Sequence, residues 1–225
     1  MDLRRSPSPE AAAQTAARLI AELLAEAVAA RRRASLAVSG GSTPGLMVAA
    51  RAEQRPVPWG EVVLLQVDER VAPDGDPARN LALLAPLRAL PHPPCIHAMG
   101  VADGDLDAAA WNYAAAMERL MATPPVLDVV HLGLGADGHT ASLVPGDPVL
   151  AVVDRDVAVT HPYQGRRRMT LTAPPISRAR HIVWLVAGSD KRSALAHLLA
   201  GDPGAPASLI ERSNAVVVAD EAAIA

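Results

Sequence analysis

The stretch Val126-Leu-Asp-Val-Val-His-Leu-Gly-Leu-Gly-Ala-Asp-Gly-His139 decides the fold. Its first part is mostly apolar and predicts a buried strand over Val126–Leu132. The strand runs directly into a glycine-rich loop that carries Asp137 and His139. Ligands in open α/β sheets bind beyond the carboxyl ends of the strands, so this junction predicts both a parallel sheet and the place of a site.

The segments on either side of this stretch alternate between strand and helix patterns, which favours parallel pairing with crossover connections. We find no internal repeat and no long linker, so we expect one α/β domain over residues 1–225. Strands are predicted over about 35–38, 61–67, 96–99, 126–132, 157–160, 169–172, 181–187 and 215–219. Helices are predicted over about 10–30, 44–53, 80–90, 106–121, 190–199 and 207–212. Residues 1–10 are interpreted as a polar segment and residues 68–79 as a polar loop.

Composition excludes several classes of protein. Of the 225 residues, 50% are hydrophobic and 20% charged, which excludes intrinsic disorder. A net charge of −3 and 2% aromatic residues predict no nucleic-acid partner. Apolar runs stay shorter than the ~18 residues that a membrane span needs, so we expect no membrane partner. Cys95, the single cysteine, cannot form an internal disulfide and is interpreted as a packed or loop residue. We therefore expect a cytoplasmic protein.

The loop Ser39-Gly-Gly-Ser-Thr-Pro44 follows a predicted strand and precedes a predicted helix. Gly40 and Gly41 allow the backbone to approach a ligand closely, while Ser42 and Thr43 add hydroxyl donors at a helix start. This pattern predicts a phosphate-binding loop, and an ordinary tight turn with a helix cap is the alternative. The loop lacks the Gly-Lys-Ser/Thr of a Walker motif.

Three cations follow other predicted strands or open them. Arg70 ends the run Asp68-Glu69-Arg70, where it either grips a phosphate or pairs with a neighbouring carboxylate. Arg168 opens a predicted strand and Lys191 lies at a strand-to-helix turn. Each is unremarkable as a surface cation, but together with the glycine loop they would hold a phosphoryl group.

His139 is the candidate general base, because imidazole titrates near neutral pH. Asp137 is close in sequence, although spacing does not say whether it orients the ring, and a solvent-facing loop histidine is the alternative. Gly133–Gly138 matches G-x-G-x-x-G, but the prolines and glycine that follow prevent the long helix of a dinucleotide site. His131 is interpreted as a satisfied core histidine. The other histidines show no metal-ligand spacing, so no metal is expected.

Taken in order, these motifs resemble the 6-phosphogluconolactonase family of the glucosamine-6-phosphate isomerase/6-phosphogluconolactonase superfamily. They are Ser39-Gly-Gly-Ser-Thr-Pro44, Asp68-Glu-Arg70, Gly133-x-Gly-x-Asp-Gly-His-Thr-Ala-Ser142 with Leu143-x-Pro-Gly146, Arg168-x-Thr-Leu-Thr172 and Gly188-x-x-Lys191. The chain departs from the family pattern at Ala72, usually Val, and at Arg79, usually Ser before Asn80.

The resemblance implies a three-layer α/β/α sandwich with a mainly parallel, Rossmann-like sheet. It implies hydrolysis of 6-phosphoglucono-1,5-lactone in the oxidative pentose phosphate pathway, with no cofactor, by a monomer or weak homodimer. His139 is then the base, and Asp68 orients His139 or a sugar hydroxyl. The remaining predicted site residues bind substrate: Gly40, Gly41, Ser42, Thr43, Arg70, Gly135, Asp137, Arg168 and Lys191.

Two alternatives belong to other functional classes. Glucosamine-6-phosphate deaminases carry a glutamate shortly after the loop histidine, where this chain has Val144. Ring opening and amine departure need that acid–base group, whereas hydrolysis of an already electrophilic ester carbonyl does not. A non-catalytic sugar-phosphate sensor is the second alternative, and such sensors are normally joined to a DNA-binding module that is not visible here.

Overall fold

A computed structural model describes residues 1–40, 57–102 and 104–225 of the chain. The strands in this part are β1 (Asp2–Ser6), β2 (Ala34–Val38), β3 (Val62–Gln66), β4 (Asp68–Arg70), β5 (Cys95–His97), β6 (Val129–Gly133), β7 (Val157–Val159), β8 (Arg168–Leu171), β9 (His181–Val186) and β10 (Ala215–Asp220). The α-helices are α1 (Pro9–Arg31), α2 (Ala85–Arg88), α3 (Leu106–Leu120), α4 (Ala173–Ser177), α5 (Arg192–Ala200) and α6 (Glu221–Ile224). Short 3-10 turns lie at Trp59–Glu61, Asn80–Leu84, Pro148–Ala151, Ser189–Lys191 and Pro206–Leu209.

Seven strands form one sheet in the order β1-β10-β9-β6-β2-β3-β5, and every pairing in it is parallel. The carboxyl ends of parallel strands lie at the same edge of a sheet. The segments after β2, β3, β6 and β9 therefore meet there, as the sequence predicts.

Helices cover both faces of this sheet and complete three layers. The helix α1 begins after Ser8, whose Oγ accepts from the Ala11 N–H at 3.2 Å, and its alanine- and leucine-rich face packs on one side. The helices α3, α4 and α5 pack on the other side, around Trp184 of β9. This arrangement confirms the predicted α/β/α sandwich with a mainly parallel sheet.

A second, antiparallel sheet has the order β4-β8-β7. The sequence analysis was wrong here, because it placed Asp68–Arg70 in a loop. Three consecutive charged residues carry no strand pattern, and it is the long-range pairing with β8 that holds them extended. Val67 joins the two sheets: its N–H donates to Val38 O at 2.9 Å, and its carbonyl accepts from the Leu171 N–H at 2.7 Å.

The polar N-terminal segment also forms a strand that the sequence analysis did not predict. Residues of β1 pair with β10 in the register Asp2↔Val216 to Ser6↔Asp220. Its side chains are mostly exposed, as an edge strand allows. Among the described strands, β5 pairs with β3 alone, and Cys95 is an exposed residue of β5 rather than a packed or loop residue.

The helices predicted over 10–30, 106–121 and 190–199 are confirmed, with bounds shifted by one or two residues. The helix predicted over 207–212 is wrong: a short 3-10 turn, Pro206–Leu209, stands there. The stretch 80–90 divides into the 3-10 turn Asn80–Leu84 and α2, where Pro86 stands at a helix start. The predicted helix over 44–53 lies outside the described residues, as do Gly41, Ser42 and Thr43. None of the described helices is long and apolar enough to cross a membrane.

Candidate active site

A cleft of about 230 Å³ opens at the carboxyl edge of the parallel sheet. It lies where the two sheets meet, and it brings together predicted site residues that are far apart in the sequence. Its described lining comprises Ser39, Gly40, Asp68, Arg70, Asn80, Gly133, Leu134, Gly135, His139, Ala141, Arg168, Leu185, Ala187 and Lys191.

His139 reaches the cleft on a tight loop that begins at the end of β6. The Gly135 N–H donates to His139 O at 2.8 Å, and the Gly138 N–H donates to Gly135 O at 3.0 Å. Gly138 has a φ of +82°, a backbone conformation that residues with a side chain rarely adopt. The Thr140 hydroxyl donates to Gly133 O at 2.9 Å and ties the loop back to the strand. The imidazole is therefore held on a fixed backbone.

Asp137 is the carboxylate that contacts the imidazole. Its Oδ1 lies 2.5 Å from His139 Nδ1 and also accepts the His139 N–H at 3.2 Å. Partial burial opposes ionisation of Asp137, but hydrogen bonds from His139 and Tyr163 outweigh it and lower the pKa of this carboxyl. An ionised carboxylate only accepts, so Nδ1 is the donor in this contact, and in the neutral form of the ring the lone pair lies on Nε2. Within the described residues, Nε2 has no hydrogen-bond partner.

Asp68 enters the cleft from the other sheet and makes different contacts. The Ser142 hydroxyl donates to its Oδ2 at 2.7 Å, and Asn80 Nδ2 lies 3.3 Å from its Oδ1. Burial raises the pKa of Asp68, while Ser142 and the charge of Arg168 oppose the rise. No described hydrogen bond joins Asp68 to His139. Orientation of His139 therefore falls to Asp137, and contact between Asp68 and a sugar hydroxyl stays a prediction.

Arg70 and Arg168 face each other across the strand pair β4–β8. The Arg70 guanidinium donates to Ala78 O at 2.8 Å, so of the two sequence alternatives the pairing with a neighbouring carboxylate is not seen. Arg168 is only 5% exposed, and its Nε has no hydrogen-bond partner within the described part of the chain. Burial lowers the pKa of Arg168, and Arg70 adds to the effect, while Asp68 opposes it.

Neither guanidinium lies within ion-pair distance of a described carboxylate, although like charges opposed across two strands are destabilising. The pair therefore places two positive charges at the cleft without a direct ion-pair partner among the described residues. Lys191 also reaches the cleft, but its Nζ lies 2.9 Å from Asp190 Oδ2 and is already partly neutralised.

Gly40 lies against Asn80 so closely that a Cβ would meet Asn80 Oδ1 at 2.0 Å. Asn80 is in turn held by Glu69, a carboxylate with no exposure, whose Oε1 accepts the Asn80 N–H at 2.6 Å. Glu69 also accepts from Gln66 Nε2, Arg70 N–H and Leu81 N–H. Arg79 Nε lies 3.2 Å from Glu69 Oε2, so the unusual residue at 79 completes a buried ion pair.

Sequence reasoning missed four residues that shape the cleft: Glu69, Asn80, Ser142 and Tyr163. The hydroxyl of Tyr163 donates to Asp137 Oδ2 at 2.8 Å. Tyr163 is one of two tyrosines in a chain without phenylalanine, and that scarcity was the one available signal.

His131 does not match its interpretation as a satisfied core histidine. It is fully buried in β6, and neither ring nitrogen has a hydrogen-bond partner among the described residues. Burial lowers its pKa to about 4, so the ring is neutral at pH 7. For metal binding, no group of three or more histidine, cysteine or acidic side chains is close enough together within residues 1–40, 57–102 and 104–225.

A parallel α/β sheet is combined here with a histidine–aspartate pair and with two arginines that have no direct ion-pair partner among the described residues. This combination is typical of α/β proteins that act on a small anionic ligand at the carboxyl edge of the sheet. A profile described as glucosamine-6-phosphate isomerases/6-phosphogluconolactonase matches residues 7–219. The chain belongs to this family.

Individual relatives agree with the family profile. A 6-phosphogluconolactonase of Synechocystis sp. is 38% identical over 184 residues, which cover 79% of this chain and 76% of the relative. One of Streptomyces coelicolor is 38% identical over 212 residues, 86% of this chain and 81% of the relative. The crystal structure of a 6-phosphogluconolactonase from Shewanella baltica superposes with a TM-score of 0.83 at 28% identity, covering 98% of this chain and 97% of that one.

Proposed function

We propose that this chain is a 6-phosphogluconolactonase, which hydrolyses 6-phospho-D-glucono-1,5-lactone to 6-phosphogluconate in the oxidative pentose phosphate pathway. The observation that carries the proposal is one cleft that holds both His139 and the pair Arg70 and Arg168. Among the described residues, His139 Nε2 has no hydrogen-bond partner and the two arginines have no direct ion-pair partner. The relatives named above carry this activity in their names and cover most of the chain.

The substrate phosphate binds at Arg70 and Arg168, because its negative charge neutralises the two guanidinium groups. Lys191 adds charge at the rim, and Gly40 begins the loop whose remaining members, Gly41, Ser42 and Thr43, lie outside the described residues. Contacts to the distant phosphate position the ring, and this positioning lowers the barrier at the reacting carbon.

His139 Nε2 then takes a proton from a water molecule as the water oxygen bonds to C1 of the lactone. Asp137 stabilises the imidazolium that forms, and backbone N–H groups of the glycine loop stabilise the oxyanion. When the tetrahedral intermediate collapses, the bond between C1 and the ring oxygen breaks. The imidazolium returns its proton to that oxygen, and the new carboxylic acid releases one proton to water.

Freshly prepared lactone, followed with a pH indicator against its spontaneous hydrolysis, tests this proposal. We expect acid release in proportion to enzyme, and His139→Ala should lower kcat by about 10²–10⁴. The lactone without phosphate should react with a much higher KM, because nothing then engages the arginines. Ammonia release from glucosamine 6-phosphate would instead identify a deaminase, and binding without acceleration would identify a sensor.

A further inference from the structure

Tyr163 lies at the tip of the hairpin that joins β7 to β8. The Tyr163 N–H donates to Arg166 O at 2.9 Å, and the two residues between them, Gln164 and Gly165, have φ of +52° and +79°. Positive φ at both central positions is typical of a two-residue type I′ turn, whose twist matches the flanking strands. At the outer side, Arg166 Nη1 donates to Asp76 Oδ2 at 3.1 Å. The turn geometry and the contact with Asp76 therefore fix the tip of the hairpin.

From this position Tyr163 contacts the histidine–aspartate pair twice. Its hydroxyl donates to Asp137 Oδ2 at 2.8 Å, on the oxygen that does not face His139. Its ring meets the imidazole edge-on, with 5.5 Å between centroids and 63° between planes. Asp137 is 38% exposed at its side chain, so without a second partner its carboxylate would be free to turn toward water. Because the Tyr163 hydroxyl occupies Oδ2 of Asp137, the other carboxylate oxygen, Oδ1, faces Nδ1 of His139.

The ring of Tyr163 also contacts Arg168. The Arg168 Cζ lies 5.0 Å from the ring centroid, in cation–π geometry. Gln164, next along the turn, accepts from Arg168 Nη2 at 3.3 Å and lies 3.4 Å from the Tyr163 hydroxyl. One aromatic ring thus contacts both the proposed phosphate-binding arginine and the proposed base.

We propose that Tyr163 is a positioning residue: its hydroxyl fixes Asp137 so that His139 Nε2 faces the cleft, and its ring sets the place of Arg168. The expected effects on kcat and KM rest on the proposed function, whereas the expected effect on the orientation of Asp137 and His139 does not. Tyr163 touches no reacting atom and acts through its two neighbours. The hydroxyl therefore affects turnover, and the ring affects both turnover and substrate binding.

Two substitutions separate these roles. Tyr163→Phe keeps the ring and removes the hydroxyl, so kcat should fall roughly three- to tenfold with KM changed less than about twofold, as expected for one lost hydrogen bond. Tyr163→Leu removes the ring as well, so kcat should fall at least as far and KM should rise by roughly three- to thirtyfold. Trp111→Leu, at an exposed aromatic outside the cleft lining, is the matched control and should keep both constants.

A spectroscopic readout tests the position of His139 without reference to activity. The ¹⁵N shifts of its ring nitrogens at neutral pH should show a single tautomer, protonated at Nδ1, in the parent protein. Tyr163→Phe should show a mixture of tautomers while its thermal unfolding midpoint stays within a few degrees of the parent's. Parent-like shifts and parent-like kcat in Tyr163→Phe would overturn the proposal. A parent protein that fails to hydrolyse the lactone overturns the proposed function alone, since the ¹⁵N result then still decides the positioning role.

Discussion

Gly135 lies directly beneath the imidazole of His139: a Cβ at position 135 would be 2.1 Å from His139 Nδ1 and 2.6 Å from Asp137 Oδ1. Real Cβ atoms do not approach so closely, so any side chain at 135 must displace the histidine–aspartate pair. The position requires glycine for space and not for backbone conformation, because its φ is not in the left-handed region.

Gly135→Ala should therefore lower kcat by about 100-fold, the usual consequence of moving a catalytic group by roughly 1 Å. The change leaves every charge of the cleft in place, so KM should change less than kcat. Gly100→Ala is the matched control, because a Cβ there meets nothing within 4 Å. Steady-state kinetics on both variants checks the prediction, and equal activity of the two would contradict it.

Asp137 and Asp68 should respond differently to the same substitution. Asp137→Asn replaces an acceptor opposite Nδ1 with a group that can also donate, which favours the wrong tautomer and should lower kcat on the order of 10²–10⁴. Asp68→Asn leaves the imidazole contact intact, so its main effect should be on KM. A larger kcat loss for Asp68→Asn would show that the wrong carboxylate has been paired with the base.

Arg168 and Lys191, two of the three cations in the described lining of the cleft, should differ in their contribution to phosphate binding. Arg168 has no carboxylate within ion-pair distance among the described residues, whereas Lys191 is paired with Asp190 at 2.9 Å. Arg168→Met should raise KM by about 10- to 100-fold, as for the loss of a charged hydrogen bond. Lys191→Met should raise it less. Inhibition constants for inorganic phosphate should follow the same order, and the reverse order would place the phosphate nearer Lys191.

The buried ion pair between Glu69 and Arg79 should matter more for stability than an exposed one. Arg79→Ala leaves the Glu69 carboxylate buried with its charge uncompensated, so the free energy of unfolding should fall by about 3 kcal/mol. Arg155→Ala breaks the exposed pair with Asp154 and should cost less than about 1 kcal/mol. Urea denaturation measures both, and similar costs would mean that hydrogen bonds alone hold Glu69.

His131 should make the protein less stable in mild acid. Burial lowers its pKa to about 4 from 6.5, so between these values the unfolded chain binds a proton that the folded chain does not. The free energy of unfolding therefore falls as pH falls through this window, by about 3 kcal/mol in total.

His131→Val should remove that part of the pH dependence without leaving an unpartnered polar group in β6. His92→Gln, at an exposed histidine, should keep it. Denaturation midpoints measured from pH 7 to pH 4 compare the two variants with the parent. An unchanged slope in His131→Val would show that the ring is not the group that titrates.

The main sheet could be predicted from sequence because its strands are short apolar runs, and β2 and β3 are buried at every residue. Asp68–Arg70 could not, since its extended form depends on β8, about a hundred residues further along the chain. Tyr163 could not be predicted for a similar reason, since its contact with Asp137 depends on the hairpin between β7 and β8. Arg70 and Arg168 could be predicted because they stand next to predicted strands, and His139 because it lies in the glycine-rich loop that follows one.

Val67 belongs to the hydrogen-bond ladders of both sheets, through its N–H to Val38 and its carbonyl to Leu171. The proposed base follows a strand of the parallel sheet, and the paired arginines belong to the antiparallel one. Val67 is therefore a backbone link between the proposed base and the proposed phosphate-binding arginines, in addition to the side-chain contacts of Tyr163 with Asp137 and of Ser142 with Asp68. Substitutions at this junction are therefore the place to begin if the cleft is to accept a longer or shorter substrate without changes to the residues proposed for the chemistry.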